Sequence, residues 1–314
     1  MELWNTTLEN SFFLIGILQE SKYPGLVCAT ITFLYLVAVT SNGLLLLLIA
    51  MDKQLHVPMY FLLSQLSLTD LLFTTVVSPK TFVDYLRGES IISFSGCGFQ
   101  IFMILTIGGA EDILLAFMAY DRYIAIQHPL SYMVFMRPKV CWFMVATSWL
   151  LASMNALVHT TYTMHFPFCR TREVGHLLCE IPPLLKLTCA NTTKYQFMIY
   201  TMGMAFLLIP LSAIIASYTL VLTAVFHMCS TQGRQKALLT CSSHLTVVVL
   251  YYGAAMFMYV LPSAYHNPQQ DNIISVFYTI ITPALNPLIY SLRNKDVLGA
   301  LKKLLGKGPS GQEL

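Results

Sequence analysis

Charge is what this chain has least of. Of its 314 residues only 11% are Asp, Glu, Lys or Arg, against 56% hydrophobic, and the mean hydropathy is +0.65. A soluble domain carries about 25% charged residues, so this chain cannot cover a water-facing surface. Its net charge is only +3, and no basic block of about five to eight residues occurs, which argues against a nucleic-acid binder. The first 24 residues lack the basic start and the small-residue cleavage site of a secretory signal. Phe12–Leu18 is apolar but too short to span a bilayer, and Gln19, Glu20 and Lys22 close it. No Cys-x-x-Cys pair is present, which disfavours a zinc site. His159, His165, His176 and His244 are scattered, and there is no Ser/His/Asp or His-Glu-x-x-His arrangement, so the chain does not read as an enzyme. Internal repeats and low-complexity tracts are also missing.

What the sequence does have is long apolar runs. A spanning helix needs about 20 mostly apolar residues. Seven windows qualify, at about 25–50, 57–80, 97–126, 140–163, 196–226, 237–262 and 271–291. The links are short except 164–195. The expected architecture is a single all-α membrane domain over 1–314: residues 1–24 as a leading segment, seven helices, a long second outer loop and a tail at 293–314. In the tail, DVLGALKKLLGK reads as a short amphipathic helix along the membrane.

Lys and Arg set the orientation. With the amino end outside, Lys53, Arg122, Arg137, Lys139, Arg234, Lys236, Arg293, Lys295, Lys302, Lys303 and Lys307 fall inside. Lys22, Lys80, Arg87, Arg170, Arg172, Lys186 and Lys194 fall outside, where acids offset them. The bias favours that topology. It also places the two sequons, at Asn5 and Asn191, on the side where glycans are added. Cys97, Cys169, Cys179 and Cys189 fall there too, in an oxidising compartment, and four cysteines allow three pairings.

Well inside, away from their ends, the spans avoid charge, with exceptions that are all acids: Asp70 in the second window, Glu111 and Asp112 in the third. An ionisable residue at membrane depth is a functional candidate. Gly108, Glu111 and Arg122 share a helix face, because eleven residues make about three turns at roughly 3.6 residues each. Two carboxylates meeting in a dry interior need a cation or a proton. A Na⁺ held by Asp70 and Glu111, with Asn42 or Asn286 assisting, is one solution, and one protonated acid is the other. Asp112 points away and finds no partner in this reading. Asp121-Arg122 ends the third window at the inner boundary, where Asp121 holds Arg122 in one state and a partner takes it in the other. Pro210, Pro283 and Pro287 interrupt helices.

The motifs PMYFLLSQLSLTD (58–70), MAYDRYIAIQHPL (118–130), SYTLVL (217–222), KALLTCSSHLTVV (236–248) and PALNPLIYSLRN (283–294) follow in order along the chain, and the resemblance they carry extends over nearly all of it. Together they resemble a rhodopsin-like G-protein-coupled receptor, and within that class an odorant (olfactory) receptor of the tetrapod type, family 2. Two departures stand out: Gln127 replaces the usual Cys, and YYGAAM at 251–256 lacks the aromatic-x-Pro bend of many rhodopsin-like receptors. The resemblance implies a switch built from Asp121, Arg122, Tyr123, Tyr218, His244, Asn286, Pro287 and Tyr290. It also implies disulfides Cys97–Cys179 and Cys169–Cys189, and it supports the Na⁺ placement. Coupling to a stimulatory, olfactory-type heterotrimeric G protein, cyclic AMP production, and a place in the plasma membrane of olfactory cilia are implied as well.

Small ligands bind in mostly apolar sites between helices. The outer half offers Ile104, Leu105, Gly108 and Gly109 in the third window, Met202, Gly203 and Phe206 in the fifth, and Tyr252, Ala255, Tyr259 and Thr279 in the last two. None is charged, so the expected ligand is a small, neutral, mostly apolar organic molecule. The competing reading is an ion- or proton-coupled transporter using the intramembrane acids, but no inverted repeat or matched pair of broken helices supports it.

Overall fold

The computed structural model describes residues 11–169, 171–227, 230–260, 267–291 and 294–306. Asn5, Arg170, Cys229, Arg293 and Lys307 lie outside the described residues, as do the side chains of Lys236 and Tyr259.

Among the described residues seven helices are long and apolar enough to cross a membrane. They are α1 (Pro24–Met51), α2 (Pro58–Arg87), α3 (Phe94–Gln127), α4 (Pro138–Met164), α5 (Thr193–Phe226), α6 (Thr231–Val260) and α7, which begins as Pro268–Val276 and ends as Thr282–Ser291. Helices α1, α2, α4 and α7 each start at a proline, where the missing N–H costs nothing and φ is already helical. An amphipathic α8 (Lys295–Leu304) follows, capped by the Asn294 side chain. Helical form is what hydrocarbon demands, since every backbone polar group must be satisfied within the segment. Burial runs opposite to that of a soluble protein. Asn42, Ser67, Asp70, Thr74 and Ser148 are buried, while Phe33, Leu36, Phe143, Leu150 and Phe197 face outward.

Helix α2 runs past the sequence window to Arg87, through Pro79, and stops at Gly88, whose φ of 71° is a left-handed cap. Proline does not end the span because neighbouring helices compensate the lost bond. In α7 two prolines act close together. Pro287 has no N–H for the Pro283 carbonyl, and Asn42 of α1 supplies one at 2.9 Å. Upstream the helix widens into a π turn at Phe277–Ile281, just before Pro283, whose ring would crowd a tight turn.

One end of the bundle carries a small sheet, in the order β2-β1-β3. Strand β1 (Ser11–Leu14) pairs antiparallel with β2 (Ile91–Ser93) and parallel with β3 (Glu173–Val174). Phe12 and Leu14 are buried, and Phe12 meets Phe94 and Phe168. The apolar segment too short to span is therefore a cover for the bundle end. Cys97–Cys179 ties this layer to α3, and Cys169–Cys189 closes the loop between α4 and α5 on itself.

Candidate functional site

The end opposite the sheet holds a cavity of about 770 Å³. Its lining includes Tyr60, Met118, Arg122, Leu239, Tyr290 and Asn294. Helix α3 delivers Arg122 there because the Glu111–Arg122 spacing keeps that face inward. Asp121 does not hold it. The Asp121 carboxylate accepts a 2.6 Å hydrogen bond from Tyr132, and no ion pair joins it to Arg122 among the described residues. Burial first, then the Asp121 charge, pushes the Tyr132 hydroxyl above the usual tyrosine range, which keeps it a donor. Arg122 Nε is buried without a partner. Tyr218, His244 and Tyr290 all lie within electrostatic reach of the guanidinium. Tyr218 bonds His244 Nδ1 at 2.8 Å, joining α5 to α6. Tyr123 is half-buried beside His128 at the helix end. Two residues after His128, Leu130 is fully exposed.

Midway along the bundle lies a buried polar layer. Asn286, one residue before Pro287, donates through Nδ2 to both Asp70 oxygens, at 2.9 and 3.2 Å. Glu111 is near enough for its charge to act on Asp70. Asn42 Oδ1 and Asn286 Oδ1 are buried acceptors without donors. Asp112, which found no partner in the sequence, faces the Tyr252 hydroxyl of α6. Neither that hydroxyl nor Asp112 Oδ1 completes a well-aligned hydrogen bond. No cluster of three or more His, Cys, Asp or Glu suited to a metal occurs among the described residues.

Towards the sheet the ligand candidates divide. Ile104 packs with Phe73, Ile107 and Ile280, while Leu105 leans on the layer beneath Phe12. Gly108 and Gly109 do different work. The Gly108 carbonyl accepts a 2.6 Å hydrogen bond from Tyr251. At Gly109 an added Cβ would sit 3.1 Å from Ala152 Cβ, so this glycine serves the close α3–α4 seam rather than opening volume for a ligand. Gly203 has open space around it, with Met202 and Phe206 half-buried nearby on α5. Ala255 is half-buried on α6, and the Thr279 hydroxyl is buried and donates to Ser275. Above them the loop 164–195 reaches into the bundle. His176 Nε2 lies 3.0 Å from the Ser275 hydroxyl, Asn272 accepts from Leu177 N at 2.7 Å, and Tyr278 donates to Glu180. Asn191 stands exposed at the start of α5, its side chain accepting from Thr193 N.

The family model described as "Olfactory receptor" matches residues 31–307. Among curated proteins, human olfactory receptor 2AG1 is 66% identical over 307 residues, 98% of this chain and 97% of that one. Human olfactory receptor 2AG2 is 66% identical with the same coverage, and human olfactory receptor 2T27 is 50% identical over 307 residues, again 98% and 97%. The chain belongs to the olfactory receptor family. It is a multi-pass membrane receptor of the G-protein-coupled class and not an enzyme.

Within this receptor, sequence reasoning overlooked Tyr132, Tyr251, Tyr60 and Leu130. Tyr60 of α2 lies 3.0 Å from both Asn294 Oδ1 and Asp296 Oδ2, tying α2 to the base of α8. A tyrosine among apolar residues reads as packing until its partner, often on another helix, is known. Leu130 carried a usable signal, an apolar residue straight after His128-Pro129 outside any span.

Proposed function

We propose that this receptor binds a small, neutral, mostly apolar odorant between the sheet-bearing ends of α3, α5, α6 and α7, and that binding activates a stimulatory, olfactory-type heterotrimeric G protein to raise cyclic AMP. The sheet end faces the exterior and the Arg122 end the cytoplasm, in the plasma membrane of olfactory cilia, with glycans at Asn5 and Asn191. The observation that carries this reading is Arg122 at the wall of a 770 Å³ cavity, released from Asp121. A buried guanidinium nitrogen without a partner is costly unless something arrives to pair with it. Leu130, fully exposed on the loop that follows α3, would offer the same partner an apolar contact.

A ligand of about ten heavy atoms at roughly 0.3–0.8 kcal/mol per atom binds with a few to eight kcal/mol, so millimolar to micromolar affinity is expected. Such a ligand activates only through its preference for one arrangement of α6 and α7 over the other. The polar layer supports a Na⁺ at Asp70 and Glu111. Its chemistry fits a hard cation: two carboxylates and the orphaned oxygens of Asn42 and Asn286. There the ion would supply countercharge. The deciding experiment is a panel of odorants on cells carrying a cyclic AMP reporter, comparing wild type with Arg122→Ala. Ligand-dependent cyclic AMP in wild type, lost in a variant that still reaches the surface, is the expected result. A normal response in the variant would remove Arg122 from the switch.

A further inference from the structure

A second hollow lies on the outside of the bundle, at the Arg122 end. It is a groove of about 250 Å³ between the turn after α1, the start of α2, the short helix Tyr132–Phe135 and the start of α4. Leu55 and Met136 form a fully buried floor, and Phe61, Met133 and Trp142 form the walls. Phe61 meets Trp142 edge-on at 4.9 Å, while Met133 and Trp142 open outward. Methionine walls adapt to a flexible chain.

The rim is charged with one sign. Lys53 precedes the turn that carries Leu55 and His56, and Arg137 and Lys139 flank the groove residue Pro138; all are exposed. They form no ion pair among the described residues. The amino end of the 27-residue α4 adds its positive dipole at the same place. The two neighbouring acids are already engaged. Asp52 accepts from Gln54 N and pairs with Lys303 at 3.1 Å, and these contacts hold its carboxyl below the usual range. Asp121 is buried and held by Tyr132.

We propose that this groove is a binding site for an anionic phospholipid of the cytoplasmic leaflet, one acyl chain lying along Phe61, Met133 and Trp142 and the headgroup on Lys53, Arg137 and Lys139. The proposal rests on the orientation argued above, which puts the rim at the leaflet where anionic lipids concentrate. A neutral sterol would leave three cations without use, and a soluble phosphate would leave the apolar walls without use. Occupancy has a consequence for signalling, because Met133 sits on the same short helix as Tyr132 and Met136 caps it. A chain packed beneath that helix steadies the hydroxyl that keeps Asp121 away from Arg122.

The test uses the full chain in neutral detergent, titrated with phosphatidylserine or phosphatidylcholine carrying brominated acyl chains, with tryptophan quenching as the readout. Trp142 lines the groove and is one of three tryptophans. Phosphatidylserine is expected to quench saturably at lower concentration than phosphatidylcholine, and Trp142→Phe to abolish that saturable part. Arg137→Gln with Lys139→Gln should raise the half-quenching concentration of phosphatidylserine about fivefold for each cation removed, leaving phosphatidylcholine unchanged. Met133→Glu, at an exposed position, should weaken phosphatidylserine with the cations intact, which covers the case of a misfolded double variant. Equal quenching by the two lipids would overturn the site. So would an equal shift from Lys302→Gln on α8, or displacement of phosphatidylserine by a neutral sterol. Failure here leaves the Arg122→Ala assay untouched, so the two readings can fall separately.

Discussion

Asp70 accepts from a single amide nitrogen: Asn286 Nδ2 donates towards both carboxylate oxygens, at 2.9 and 3.2 Å. That contact crosses 216 residues and joins α2 to α7. A single neutral donor does not balance a carboxylate with Glu111 close by, and the leftover acceptors of Asn42 and Asn286 are what the proposed cation would use. If Na⁺ binds there, basal cyclic AMP should change when NaCl replaces choline chloride, by about fivefold for a typical coupling energy. Asp70→Asn should flatten that response. The same salt curve in both proteins would exclude a Na⁺ site at Asp70. Asp70 and Glu111 were legible in the sequence because acids inside apolar windows are conspicuous. The partner of Asp112 was not, since Tyr252 lies on another helix 140 positions away.

At the scale of elements, the covering segment shows how local pattern and long-range pairing share control. Its alternation of Phe12 and Leu14 as buried positions is strand-like, but a four-residue strand is stable only where partners already wait. Those partners are β2 and β3, from two different loops. Gly16 then lets the chain pass close to Leu177: an added Cβ would fall 2.7 Å from Leu177 Cα. Backbone cannot yield as a flexible side chain would. Gly16→Val is therefore expected to cost about 1–3 kcal/mol by overpacking, seen as a lower melting temperature of the purified receptor and reduced surface delivery. An unchanged melting temperature would show that the cover is loosely held. Pro79 teaches the converse. The apolar window stopped near it, whereas the helix continues to Arg87, because neighbouring helices override the local cost of proline.

For the molecule as a whole, the two disulfides constrain the chain unequally. Cys97–Cys179 closes a separation of 82 residues and fixes the covering layer to α3, while Cys169–Cys189 closes only 20 within one loop. Loop-closure entropy alone makes the first worth about 4.5 kcal/mol and the second about 3.3 kcal/mol. Replacing the first pair by alanine should lower the melting temperature more, and should also weaken ligand-evoked signalling by loosening the layer above α3. Equal losses from both pairs would mean that the covering layer is held by packing instead.

The sequence by itself determined the number of spans, the class of receptor, the inward face of α3 and the positions of the intramembrane acids. The class follows from the resemblance carried by the ordered motifs, and the rest from local composition and helical spacing, which need no knowledge of neighbours. Tertiary structure alone decided that Tyr132 rather than Arg122 takes Asp121, that Gly109 serves a helix seam, that Asn42 replaces the hydrogen bond Pro287 removes, and that the Phe12 segment closes the bundle end. Those outcomes depend on which side chains from distant windows meet within about 3 Å, and the apolar pattern that sends a helix into a membrane is nearly silent on how it is rotated against the next.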